Sequence, residues 1–168
     1  MLRAFDGWLV DQFESFTHWF QLGPGKGRTN FWLARVFLHA ATVFMLFSFL
    51  LFSSNASWAF RGLYGLCGIG VVFSNQKSLH YLRAIEEIFL KTSLGVNPMR
   101  LLGFSLRLGT LLMFPPIAFL SAIIKDGGVE LIIAVLFFLA HLYFCACTPL
   151  PPGSERQKNP QLAPEGAR

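Results

Sequence analysis

The sequence predicts an all-α membrane protein: a four-transmembrane-helix bundle with an N-terminal interfacial amphipathic helix and a second amphipathic helix between spans two and three. Three observations lead there. Of 168 residues, 54% are apolar and 14% charged, with nineteen phenylalanines, which is too little charge for the surface of a soluble domain of this length. The apolar residues gather into blocks of about seventeen to twenty-five, long enough at roughly 1.5 Å per residue to cross a hydrocarbon core of about 30 Å as helices. Lysine and arginine fall mainly in alternate connections between those blocks, which is the signature of membrane insertion.

Residues 2–22, "LRAFDGWLVDQFESFTHWFQL", have helical periodicity. At about 100° per residue, Leu2, Phe5, Trp8, Leu9, Phe13, Phe16, Trp19 and Phe20 fall within an arc of about 140°. Asp6, Asp11, Glu14, Thr17 and His18 lie outside it. An aromatic face of this kind suits the headgroup boundary. Anionic headgroups repel the acidic face, which is therefore expected to turn toward water or a basic partner. Phe5, Trp8, Phe13, Phe16 and Trp19 make this helix the expected contact with a protein partner. "GPGKGRTN" then breaks the helix, and Thr29 or Asn30 can cap the next one.

Four spans follow, at about 31–53, 57–74, 101–124 and 129–148. Small residues after the first block mimic a cleavage site, but a leader of over fifty residues far exceeds the usual roughly 15–30, so the block reads as an uncleaved anchor. Asn55-Ala56-Ser57 matches the glycosylation pattern in a loop too close to the bilayer to be used. Span two carries Gly62, Gly65, Gly68 and Gly70; glycine lets helix backbones approach, so Gly62, Gly65 and Gly68 are expected to dock a neighbouring helix of this chain, of a partner or of a homo-oligomer. In 75–93, Leu79, Leu82, Ile85, Ile88 and Phe89 gather on one side and Arg83, Glu87 and Lys91 form an i, i+4 ladder on the other, giving a cytoplasmic amphipathic helix that "GVNP" ends. Pro115 and Pro116 should kink span three near Phe114.

The spans and connections make one domain, 1–148. The remainder, 149–168, has five prolines in twenty residues and almost no apolar content, so it is expected to be a disordered cytoplasmic tail.

Orientation follows from charge. One side holds Arg3, Lys26 and Arg28, then Lys77, Arg83, Lys91 and Arg100, then Arg156, Lys158 and Arg168; the other has only Arg61 and Lys125. Both termini are expected in the cytoplasm, and the protein in a bacterial inner membrane. This distribution accounts for the net charge of +5 without a nucleic-acid partner.

Arg35, His39, Arg107 and His141 interrupt the apolar blocks. An ionisable residue inside the hydrocarbon costs about 2.5–3.5 kcal/mol or more at the centre and marks a functional site by default. Counted from the inner boundary, Arg107, His39 and His141 share a depth of about 9–12 Å, which allows a proton site or a haem b held axially by two histidines. Shorter spans, 36–53, 108–124 and 129–146, instead put the arginines at the boundary with snorkelling stems and the histidines one turn deep. The boundary arrangement is the preferred one, with no cofactor, metal or catalytic residue assigned.

Cys145 and Cys147 adjoin His141 in sequence but lack the further ligands that zinc requires; juxtamembrane acylation is an alternative, and the preferred reading is that they are inert small residues. No GxSxG, HExxH, CxxC or phosphate-binding loop is present, and the spans hold no central carboxylate of the kind a cation-coupled pump needs. The expected function is a non-enzymatic accessory or assembly subunit that binds a protein partner through cytoplasmic and intramembrane surfaces. Two alternatives stand beside it: the haem or proton site of His39, Arg107 and His141, and an immunity-type protein that binds a pore-forming toxin in the bilayer. The last is an analogy from topology alone.

Overall fold

Six helices account for nearly all of the computed structural model, which describes residues 2–25, 28–54, 57–92, 97, 99–123 and 127–148. The tail predicted to be disordered and most connections lie outside the described residues. There is no strand among those described.

Helix α1 (Leu2–Leu22) contains no proline, and it stops where Gly23 and Gly25 fold back to donate to the Phe20 carbonyl at 3.2 and 2.8 Å. Helix α2 (Asn30–Ser54) starts at Thr29, whose hydroxyl accepts the Trp32 N–H at 3.3 Å. Of the two residues predicted to cap this helix, Thr29 does so. Helix α3 (Trp58–Thr92) is one helix of 35 residues, about 52 Å long. It joins the predicted span 57–74 and the predicted amphipathic helix 75–93. The sequence reading divides the two at 74/75, but Asn75 is buried and donates to the Leu38 carbonyl and the Thr42 hydroxyl of α2. Its amide therefore serves a neighbouring helix and leaves its own backbone ladder intact.

A single turn, α4 (Met99–Leu102), precedes α5 (Phe104–Ile123), which runs through Pro115 and Pro116 without interruption. Helix α6 (Gly128–Ala146) closes the set. The turn into it requires glycine twice. Gly127 has φ 82°, in the left-handed region that side chains disfavour, and a Cβ on Gly128 would run into the Ser121 backbone of α5.

Helices α3 and α6 both run antiparallel to α2. Glu86 meets Arg35 and Thr29 near the start of α2, while Gly68 approaches Leu46. Asn30 reaches Phe144 at one end of α6, and Ser48 donates to the Gly127 carbonyl at 2.8 Å at the other. Packing runs in the order α3–α2–α6–α5, and no other pair among these four packs extensively. The predicted bundle is thus an open row, with α3 at one edge and α5 at the other. Helix α1 lies across one end, on α5 and α6.

That end holds the core. Phe31, Ala34 and Leu38 of α2, Leu79 and Leu82 of α3 and Phe144 of α6 are buried together, with Phe13 and Phe20 of α1 packed against them. Elsewhere large apolar side chains point outward, among them Phe47, Leu66, Phe73, Met113, Phe119 and Leu136. Such outward apolar surface is what lipid contact favours and water does not. Among the described residues, three helices are long and apolar enough to cross a membrane: Asn30–Phe52, Phe104–Ile123 and Gly128–Ala146. Helix α3 is not among them, because Arg61 and four glycines dilute the apolar stretch that ends at Asn75.

Candidate functional site

A helix leaves its last carbonyls without partners, and burying them that way is costly. At the end of α6 two asparagines meet the need. The Asn30 amide donates to the carbonyls of Phe144 and Cys147 at 3.0 and 2.8 Å. The Asn97 amide donates to Cys145 and Cys147 at 2.8 and 2.7 Å, while its own oxygen accepts the Met99 N–H and starts α4. Helix α1 completes the collar: Glu14 accepts the Thr148 N–H at 3.2 Å, and the His18 imidazole lies 3.2 Å from the Thr148 carbonyl.

Beside the collar is a buried ion pair. Arg107 is 1% exposed and Asp6 7%. The guanidinium meets the carboxylate through Nε to Oδ1 at 2.9 Å and Nη2 to Oδ2 at 2.7 Å. It also donates to the carbonyls of Met99 and Arg100 at 3.3 and 2.9 Å. Tyr143 donates to Asp6 at 3.2 Å, and its ring centroid is 5.6 Å from the guanidinium carbon. Farther along α1, Arg100 pairs with Asp11 and Glu14. The acidic side of α1, expected to face water or a partner, is therefore turned onto two arginines of its own chain. Asp6, Val10, Thr17 and Gln21 form the buried stripe, and Phe5, Trp8, Phe16 and Trp19 face outward. Phe13 differs from the other four aromatic candidates: it packs inward on Tyr143 and Phe144, with centroids at 5.1 and 5.0 Å.

The three residues proposed to share a depth do not converge. His141 Nδ1 lies 2.8 Å from the Ala34 carbonyl, so His141 sits level with Ala34. His39 is five residues farther along α2, about 7.5 Å deeper, and exposed on the outer surface of the row. Arg107 is committed to Asp6. The structure thus places His141 in the interior, His39 on the surface and Arg107 on Asp6, rather than grouping the three around one point. Arg35 pairs with Glu86 of α3.

The glycines of α3 divide. Gly68 packs against α2, where a Cβ would meet Leu46 at 3.3 Å; at Gly62 and Gly65 it would meet nothing within 4 Å. Cys145 and Cys147 are enclosed, whereas Cys67 on α3 is exposed. Cys145 Sγ is 3.8 Å from the His141 ring, and Cys147 Sγ donates to the Tyr143 carbonyl at 3.3 Å. With Cys145 4% and Cys147 0% exposed, neither thiol is presented at the surface for acylation. No group of three or more metal-binding side chains occurs among the described residues.

Asp6, Asn97 and Arg100 were not singled out as site residues from the sequence, and Asn30 only as a helix cap, although they organise the collar and the ion pair beside it. The one available signal was the buried charge of Arg107, which demands an acidic partner; the chain separation of 101 residues hides which acid supplies it. No known protein family, curated protein or solved structure matches this chain.

Proposed function

We propose that the chain is a non-enzymatic integral membrane subunit that holds or assembles a protein partner, with four crossings and both termini cytoplasmic. The fourth crossing is the first half of α3. Beyond it, Gln76, Lys77, His80, Arg83 and Glu87 are exposed alongside the first turns of α2, which favours the shorter limits for α2 and puts Arg35 and His39 near the inner boundary.

The observation that carries the reading is the outward aromatic row of α1 on a helix locked from behind. The acidic side of α1 is engaged by Arg100 and Arg107 behind it, while Trp8 and Trp19 remain 54% and 61% exposed. Rigid, outward aromatics are the side chains that anchor protein interfaces, because they add contact area at small entropic cost. Within the bilayer, the free edge of the row at Gly62 offers a second contact for a helix; an immunity-type role would use this edge.

The double substitution Trp8→Ser/Trp19→Ser tests this. It removes no internal contact of the collar, so thermal unfolding in mild detergent should be nearly unchanged. Cross-linked partner recovered from the native membrane should fall at least severalfold. Undiminished recovery would overturn the assignment of this surface.

A further inference from the structure

Where α1 lies against the beginning of α5, a recess of about 280 Å³ remains between them and α4. Arg3, Asp6 and Gly7 of α1 face Arg100 of α4 and Phe104 and Arg107 of α5 across it. Three of these side chains carry a guanidinium and one a carboxylate, and that carboxylate is already matched: Asp6 turns both oxygens to Arg107, with the Tyr143 hydroxyl on one of them. Arg100 is shared between Glu14 and Asp11, neither of which lines the recess. The Asp11 side chain is 61% exposed, where water screens an ion pair to little net strength. The Arg3 guanidinium lies over the Phe104 ring, 5.7 Å from its centre. Contact with a ring face steadies a guanidinium and leaves its N–H groups for an acceptor. Gly7 keeps the space open, since a Cβ there would meet nothing within 4 Å. The recess lies beside the α5 edge of the row, where Leu106 and Met113 face outward.

We propose that this recess binds a phosphoryl group, whose oxygens accept from Arg3 and Arg100 while the Asp6 and Arg107 pair forms a fixed, neutral wall. Guanidinium groups meet phosphate oxygens through charge-assisted hydrogen bonds of fixed geometry. The volume of about 280 Å³ is below the roughly 300–1,000 Å³ of clefts that enclose drug-sized ligands, so it suits a phosphate and not a larger group. The phosphoryl group comes either from an anionic lipid lying along α5 or from free phosphate, and the chemistry at the arginines is the same for both.

Two titrations of the purified full chain in detergent separate the sources. One adds inorganic phosphate, against potassium chloride at equal ionic strength, and is followed by calorimetry. The other adds phosphatidic acid, against phosphatidylcholine of the same chain length, and is followed by native mass spectrometry. Saturable uptake of one equivalent per chain is expected in at least one titration, and the titration that shows it names the source. Arg3→Gln should weaken that uptake about tenfold, the scale of one charge-assisted contact. Gly7→Leu, which fills the recess, should abolish it. Both variants should unfold with the wild type or above it, because Arg3 takes no part in the collar and leucine suits a helix better than glycine. Arg83→Gln, which removes an exposed arginine of α3, should change nothing. Absence of uptake in both titrations would overturn the site, and so would uptake that survives Arg3→Gln or Gly7→Leu undiminished. Equal weakening by Arg83→Gln and Arg3→Gln would also overturn it, since the arginines would then act only as diffuse positive charge. Neither titration depends on the number of crossings, so its outcome stands apart from the membrane-subunit reading above.

Discussion

Asp6 and Arg107 are held to each other by two short contacts in a nearly closed site. The sequence reveals half of this arrangement. An arginine six residues into an apolar block stands out, but the periodicity of 2–22 puts Asp6 among the polar residues and so suggests solvent. Periodicity identifies which residues share a face; it does not say which face docks. In water the aromatic face would go inward, and at a lipid boundary it turns outward, so the acids meet the protein. Removing one partner of a buried pair leaves the other charge uncompensated, at about 3–5 kcal/mol. Arg107→Met and Asp6→Leu should each lower the unfolding temperature in detergent and open α1 to protease. The double variant should recover most of the loss, because no lone charge remains. Single variants that unfold with the wild type would remove the clamp from the account.

At the scale of elements, α1, α2, α5 and α6 emerge near their expected limits because apolar blocks and glycine-rich breaks coincide there. Helix α3 does not, because polarity at Ser74, Asn75 and Gln76 resembles a helix end when the neighbour is unknown. Thr42 is that neighbour. Continuity has a mechanical consequence: it fixes Glu86 against Arg35 relative to Gly68 against Leu46. Gln76→Pro isolates the point, since Gln76 is exposed and only the backbone is altered. A proline inside a helix costs about 3 kcal/mol or more. The variant should unfold correspondingly earlier, and hydrogen exchange should rise along 76–86. Two separate helices joined near residue 75 would accommodate the proline at little cost.

At the scale of the whole molecule, lysine and arginine placement reports on connections, and it agrees with a row in which α1, the start of α2 and the end of α6 share one end. What charge placement cannot encode is lateral order. Apolar helices close into a bundle or lie in a row at nearly equal hydrophobic gain, because lipid is as apolar as a neighbouring helix. The row follows instead from a few polar contacts: Asn30, Ser48, Asn75 and His141 each link α2 to α3 or α6. Topology is therefore the most exposed part of the proposal and the simplest to examine. An enzymatic reporter active only outside the cytosol should be silent when fused after residue 22, within 93–98 or at the C-terminus. It should be active when fused within 55–56 or 124–126. Activity within 93–98 together with 55–56 would mean that α3 stays on one side, leaving three crossings and placing the C-terminus across the membrane from α1. The contact between Glu14 and Thr148 forbids that arrangement for a folded chain, so the reporter pattern and the collar stand or fall together.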